Sequence, residues 1–206
     1  MDKQDKSYWQ QKYDSFAVQN ANLSKNQIVF IGDSITDLYP LDDYYTDLTK
    51  ATYNRGIAGD TTLGILQRMK VSLYDLAPSK IVLMIGINDI NGGRSVEDIA
   101  NSYNSILTQI KQNLPTTHVF CMSILPMSET ILNYADINLD ERNTKVRQVN
   151  SRIIELANAY GYSYVNLYEQ VCNDSLRLKN EYTDDGIHLN ANGFAVWTSV
   201  VKPYLV

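Results

Sequence analysis

Gln27-Ile28-Val29-Phe30-Ile31-Gly32-Asp33-Ser34 is the stretch that decides how this chain folds. From Ile28 to Ile31 every side chain is apolar, and the run does not alternate with polar residues. That pattern belongs to a strand covered on both faces. The run then breaks into Gly32, Asp33 and Ser34, where a strand must stop and turn. The same signature recurs downstream. An apolar run at 51–53 leads into Asn54-Arg55-Gly56-Ile57-Ala58-Gly59-Asp60, and one at 81–85 leads into Gly86-Ile87-Asn88-Asp89. With further runs at 118–122 and 163–165, five short buried strands are expected, the first over 27–31.

Helical patterns fill the intervals. Ser95 is placed to cap a helix whose stripe is Val96, Ile99, Tyr103, Ile106, Leu107 and Ile110, with Asp98 at the reciprocal capping position. A second helix carries Val146, Val149, Ile153, Ile154, Ala157 and Tyr160, and Gly161 is placed to end it. A shorter one spans 60–70 with Leu63, Leu66 and Met69 inward. An early helix sets Trp9, Tyr13 and Phe16 on one face, and a last one near 192–201 carries Phe194, Trp197 and Val200 or Val201. Parallel neighbours need a crossover between them, so strands separated by helices imply a parallel sheet. The expected fold is α/β: a three-layer α/β/α sandwich on a five-stranded parallel sheet. It forms a single domain over 1–206, with an N-terminal helical extension over about residues 1–24.

The bulk composition narrows the function. The chain has 206 residues, 44% of them hydrophobic, and a net charge of −5. That balance carries no clustered basic footprint for nucleic acid. No run approaches the roughly 20 apolar residues of a spanning helix. Met1-Asp2-Lys3-Gln4-Asp5-Lys6 is polar with no apolar signal-peptide core behind it, so a cytoplasmic protein is expected. Cys121 and Cys172 lack metal-ligand spacing and are too few for a disulfide framework, and Cys121 lies in an apolar run as a core thiol.

Open α/β sheets place ligands beyond the carboxyl ends of their strands, near the point where strand order reverses. The three breaks at Gly32-Asp33-Ser34, Asn54 to Asp60 and Gly86 to Asp89 all fall there. Late in the chain comes Asp184-Asp185-Gly186-Ile187-His188-Leu189-Asn190. His188 lies in a polar loop three residues after Asp185, close enough for the carboxylate to hold one imidazole nitrogen and leave the other as a base. Asp184 is an alternative acid. His118, at the start of a strand, reads as structural. A serine, a histidine and a carboxylate at such a crevice suit acyl transfer. Ser34 N–H, Gly59 N–H and the Asn88 amide are candidate donors to an oxyanion. Asp33 reads as structural, bonding backbone N–H groups of its loop. The acidic residues form no recognisable metal-ligand set with the histidines, and no cofactor or metal is expected. A non-catalytic small-ligand module is the competing reading, but the glycines match neither a phosphate loop nor a dinucleotide fingerprint.

Gly32-Asp33-Ser34-Ile35, Asn54-Arg55-Gly56-Ile57-Ala58-Gly59-Asp60-Thr61-Thr62, Gly86-Ile87-Asn88-Asp89 and Asp185-Gly186-Ile187-His188 stand in the order and spacing of four conserved blocks. In them the chain resembles the SGNH, or GDSL-type, esterases and lipases over roughly residues 27–204. Within that family it is most similar to the platelet-activating-factor acetylhydrolase-like branch, through the second block and Ile124-Leu125-Pro126. Met127-Ser128-Glu129 stands where that branch often has a basic residue, and Asp89 where some members have a second asparagine. The resemblance implies a flavodoxin-like hydrolase fold, Ser34 as nucleophile, His188 as base and Asp185 as its acid. It implies an oxyanion hole from Ser34, Gly59 and Asn88, and a small ester as substrate. Short acyl groups, acetyl above all, are expected, with a thioesterase or lysophospholipase for longer chains as the alternative. Related chains can associate, which leaves homo-oligomerisation open. Two segments are candidate pocket walls: 126–140, with Met127, Ile131, Leu132 and Tyr134, and Tyr39-Pro40-Leu41.

Overall fold

The structure is a computed structural model that describes residues 7–130 and 138–206. Helix α1 (Tyr8–Gln19) precedes strand β1 (Ile28–Gly32), which runs directly into two short helices, α2 (Ser34–Asp37) and α3 (Leu41–Tyr44). Strand β2 (Thr52–Gly56), α4 (Thr62–Met69), a π-helical turn at Lys70–Tyr74 and β3 (Lys80–Met84) follow. Next come α5 (Ile87–Asn91), α6 (Val96–Asn113), β4 (His118–Met122), α7 (Leu139–Tyr160) and β5 (Ser163–Val165). Helices α8 (Tyr168–Val171) and α9 (Ala191–Val201) follow, with a final 3-10 turn at Lys202–Tyr204.

The sheet has five strands in the order β2-β1-β3-β4-β5, and every neighbouring pair is parallel. This is the expected α/β sandwich. Strand order reverses between β1 and β3, which opens a crevice at their carboxyl ends. Register sets Gly32 beside both Gly56 and Met84, so the three breaks in the sequence fall on one edge.

Both faces are covered, which is why β1 reads as an unbroken apolar run. Val29 and Ile31 pack with Ile99, Tyr103 and Ile106 of α6 and with Val149 and Ile153 of α7. Ile28 and Phe30 point the other way, onto Phe194, Trp197 and Val201 of α9. The cap readings hold: Ser95 Oγ accepts the Asp98 N–H at 3.0 Å, and Gly161 ends α7 in a left-handed conformation. No helix among the described residues is long and apolar enough to cross a membrane.

Three expectations need correction. Leu63 does not face inward; it is half exposed, and Ile65, Arg68 and Met69 form the buried side of α4. The helix starts at Thr62 behind the Thr61 cap, and that phase turns Leu63 outward. Strand β2 does not stop at 53 but continues to Gly56. Its polar residues find partners in place: Asn54 Nδ2 donates to the carbonyls of Thr36 at 2.7 Å and Tyr39 at 3.1 Å, and the Arg55 guanidinium donates to Gln19 Oε1 at 3.1 Å and Asn20 Oδ1 at 3.0 Å and lies 4.6 Å from the Phe16 ring. Tyr39 is buried against Phe194 and Trp197, and with Pro40 and Leu41 it borders a cleft along the free edge of β2 that Ser34 does not line. Met127 is buried too, while Ile131, Leu132 and Tyr134 lie outside the described residues.

The backbone of β2 passes against α2 with no room for a side chain. A Cβ on Gly56 would lie 2.1 Å from Asp37 N and 2.5 Å from its Cα. Gly56→Ala is therefore expected to destabilise the protein by at least about 2–3 kcal/mol, read as a lower midpoint in urea unfolding.

Candidate active site

Ser34 is the first residue of α2, immediately beyond the end of β1. Asp33 caps this short helix, its Oδ1 accepting the Ile35 N–H at 3.0 Å. The serine side chain is only partly buried. Its Oγ lies 2.8 Å from Nε2 of His188, although 154 residues separate the two in the chain. Nδ1 of His188 lies 2.5 Å from Oδ2 of Asp185. With the Nδ1 proton donated to that carboxylate, Nε2 is left to accept from the serine hydroxyl.

The loop that carries Asp185 and His188 is held by its own backbone. Oδ1 of Asp185 accepts the N–H groups of Ile187 at 2.9 Å and His188 at 2.8 Å. Thr183 Oγ1 accepts the Gly186 N–H at 2.9 Å, and Thr183 pairs with Leu189 in an antiparallel bridge. Partial burial pushes the Asp185 carboxyl upward, but the His188 ring and those N–H groups outweigh it and hold the carboxyl below its usual range. Asp184 instead accepts from Asn190 Nδ2 at 3.3 Å and does not face the imidazole. His118 lies at the opposite end of the sheet, its Nε2 2.9 Å from Ser163 Oγ.

Gly59 stands at the tip of the turn after β2, exposed and with φ +78°. A Cβ there would meet nothing within 4 Å, so the space above the turn is open. Neither the Ser34 nor the Gly59 N–H donates to another group among the described residues. Asn88 lies on α5, and one hydrogen of its amide goes to the Asp60 carbonyl at 2.9 Å. The other remains available at the same rim. The structure thus brings together Ser34, Asp185 and His188 in hydrogen-bond contact, with Gly59 and Asn88 on the adjoining rim, and leaves Asp184 and His118 outside.

Reading the sequence missed the residues that hold this rim. Asp60 pairs with the buried Arg68 at 2.7 Å. Asp89 is 1% exposed; its Oδ2 accepts Thr62 N–H at 2.9 Å, and its Oδ1 accepts both Thr62 Oγ–H at 2.7 Å and the Arg94 guanidinium. Asn143 and Asn150 of α7 each form a pair of bonds to the backbone of the segment after β4, at Met127 and Ile124. The Ser128 N–H at the end of that segment then donates to the Gly186 carbonyl at 2.8 Å, beside the histidine. A charge or an asparagine on the inward stripe of a helix was the available signal. Elsewhere, a cleft of about 1010 Å³ runs along the free edge of β2 past Lys12, Tyr53 and Arg55. It is lined by none of Ser34, Gly59, Asn88, Asp185 or His188, so the chemistry does not sit there.

The GDSL-like lipase/acylhydrolase family model matches residues 30–196. The human platelet-activating factor acetylhydrolase IB subunit alpha2 is 27% identical over 144 residues, covering 68% of this chain and 59% of that protein. The chain thus matches less than two thirds of that relative's length. A solved structure from Streptococcus pneumonia, described provisionally as a platelet activating factor, superposes with a TM-score of 0.88 at 31% identity, covering 97% of this chain and 93% of that one. A GDSL-like lipase from Bacteroides thetaiotaomicron shares the fold at a TM-score of 0.82 and 24% identity, over 94% and 96% of the two chains.

Asp33 adds a titration beside the serine. Burial pushes its carboxyl up to about 7; the Ile35 N–H opposes this, the charges of Asp60 and Asp89 reinforce it, and Arg68 opposes it. An unfolded aspartate titrates near 4, so between about pH 4 and 7 the folded state holds a proton that the unfolded state has lost. This stabilisation is complete below pH 4 and is lost as pH rises through 7. Asp33→Asn keeps an oxygen for the Ile35 N–H but removes the titration. Its melting temperature relative to wild type is expected to climb from pH 5 to about pH 7 and to level off by pH 8. A constant difference across that range would contradict the assignment.

Proposed function

The chain belongs to the GDSL-like lipase/acylhydrolase family, and on that premise we propose that it hydrolyses carboxylic esters through a covalent acyl intermediate on Ser34. The observation that carries this reading is the line of contacts from Ser34 Oγ to His188 at 2.8 Å and from His188 to Asp185 at 2.5 Å. A serine is a weak nucleophile until a neighbouring base takes its proton, and this geometry supplies that base.

His188 Nε2 takes the Ser34 proton as Oγ attacks the ester carbonyl. The electron pair of the carbonyl moves onto its oxygen, which accepts from Ser34 N–H, Gly59 N–H and the second hydrogen of the Asn88 amide. Collapse of the tetrahedral adduct breaks the bond to the alcohol, which leaves with the proton held by His188. Water then gives its proton to His188 and attacks the acyl-enzyme. The carboxylic acid is released as the proton returns to Ser34 Oγ. Asp185 stays ionised and steadies the imidazolium. Its depressed carboxyl suits that part.

We assign short acyl groups, acetyl first, to this site. The support is the acetylhydrolase name of the relatives matched over 68% of the chain and the open, partly exposed setting of Ser34 and His188. We place the protein in the cytoplasm, a reading that rests on its two free thiols, Cys121 and Cys172.

Ser34→Ala is expected to fold as wild type and to lose at least about 10⁴-fold in kcat on an aryl acetate. A fluorophosphonate probe should label Ser34 in the wild type and leave the variant unlabelled. An active Ser34→Ala protein, or a folded wild type that resists the probe, would overturn the assignment. In a series of aryl esters, kcat/KM is expected to fall from acetate to octanoate. A rise along the series would transfer the assignment to longer acyl chains.

A further inference from the structure

Helix α1 lies before the residues matched to the family, 30–196, yet it is bonded to both backbone segments that flank the reaction centre. Its first contact is Asp37, at the end of the helix that begins with Ser34. Tyr8 Oη donates to Asp37 Oδ2 at 2.6 Å and Lys12 Nζ to Oδ1 at 2.7 Å, and the same carboxylate accepts the Ala58 N–H at 3.0 Å. The second contact is Asp60, on the other side of Gly59. Trp9 Nε1 donates to Asp60 Oδ1 at 3.2 Å, while the indole stacks on Tyr13 with ring centroids 5.4 Å apart.

Asp60 is where the rim of the site converges. Its Oδ2 accepts Arg68 Nε at 2.7 Å, and Oδ1 also accepts the Thr61 N–H at 3.0 Å. Its carbonyl accepts one hydrogen of the Asn88 amide at 2.9 Å, and its own N–H closes the turn onto Ile57 O at 3.1 Å. Arg68 in turn donates to Gly32 O at 2.9 Å, two residues before Ser34. A shift of Asp60 therefore displaces Gly59 by direct chain connection and rotates the Asn88 amide through its carbonyl. Both are donors to the oxyanion in the function proposed above, on which this inference rests. Such donors are effective only when held where the charge will develop.

We propose that Trp9, acting through Asp60 and its partner Arg68, is a positioning residue of the oxyanion site, so that helix α1 governs turnover rather than substrate binding. Its ring touches no reacting atom. Its effect is to fix the carboxylate that fixes the Gly59 turn and the Asn88 side chain.

Trp9→Phe keeps an aromatic ring to stack on Tyr13 and removes only the indole N–H. The expected result is a kcat about three- to tenfold lower with KM within about twofold, because small misplacements of a catalytic group act on the chemical step. Asp60→Asn, which breaks the pairing with Arg68, should lose more in the same direction; if it does not fold, Trp9→Phe carries the test alone. The decisive readout compares an aryl acetate with its thionoacetate analogue. Sulfur accepts hydrogen bonds poorly, so the thiono substrate draws less on the oxyanion donors. The ester-to-thionoester rate ratio should therefore fall in Trp9→Phe by about the same factor as kcat on the ester. Equal losses on both substrates, a loss confined to KM, or an unchanged kcat would each overturn the proposal. Ser34→Ala separates this failure from that of the hydrolase reading. If it is inactive while Trp9→Phe behaves as wild type, only the positioning proposal falls.

Discussion

Arg68 is 0% exposed, so its charge must find every partner inside the protein. Burial alone disfavours both members of its pair, pushing the Asp60 carboxyl up and the guanidinium down. The cost is met only because Arg68 also donates to Arg55 O, Gly32 O and Ser72 Oγ. These bonds tie the ends of β1 and β2 to each other and to the turn that follows β2. A planar fork of donors can hold three segments in one geometry, which an ammonium on a flexible stem cannot do as well. The crevice where strand order reverses is thereby given a fixed floor.

Polar side chains elsewhere solve the same problem at smaller scale. Once the strands end, the chain runs through buried territory without a sheet to satisfy its backbone, and each unpaired group there would be costly. Asn143 and Asn150 take the place of a neighbouring strand for the segment after β4. Asp89 does so for the start of α4. These anchors rigidify the loops without lengthening them. A serine and a histidine far apart in sequence can then meet within hydrogen-bond distance.

Ser34, His188 and Asp185 rest on different supports, and this division follows from the fold. Ser34 is set by the end of a central strand and cannot move without β1. His188 and Asp185 come from a loop closed by its own bonds, fastened to the rest through Ser128 and the Thr183–Leu189 bridge. On the opposite rim, the Asn88 amide is bonded to Asp60, which neighbours Gly59 and accepts from Trp9 of α1. The architecture of the GDSL-like family thus supplies the sheet and the loops, while the N-terminal helix braces one side of the rim.

The sequence alone determined most of the elements and singled out the side chains that meet at the candidate site. Short apolar runs without alternation, each closed by a turn, suit strands covered on both faces. Glycine and small polar residues at their ends marked the edge that holds the candidate site, and Asp185 and His188 were legible because three residues separate them. What it could not determine were relations between distant positions. Leu63 read as inward because a stripe of leucines suggested it, and only the start of α4 at Thr62 set the phase. Tyr39 read as a wall beside Ser34, but packing against α9 left it bordering only the cleft along β2, which Ser34 does not line. The partners Trp9, Asp60 and Arg68 come from three elements, and no local pattern links them. Local propensity and periodicity are properties of neighbouring residues and so are written in the chain. A buried charge finds its partners by proximity in space, and that is decided only when the layers pack.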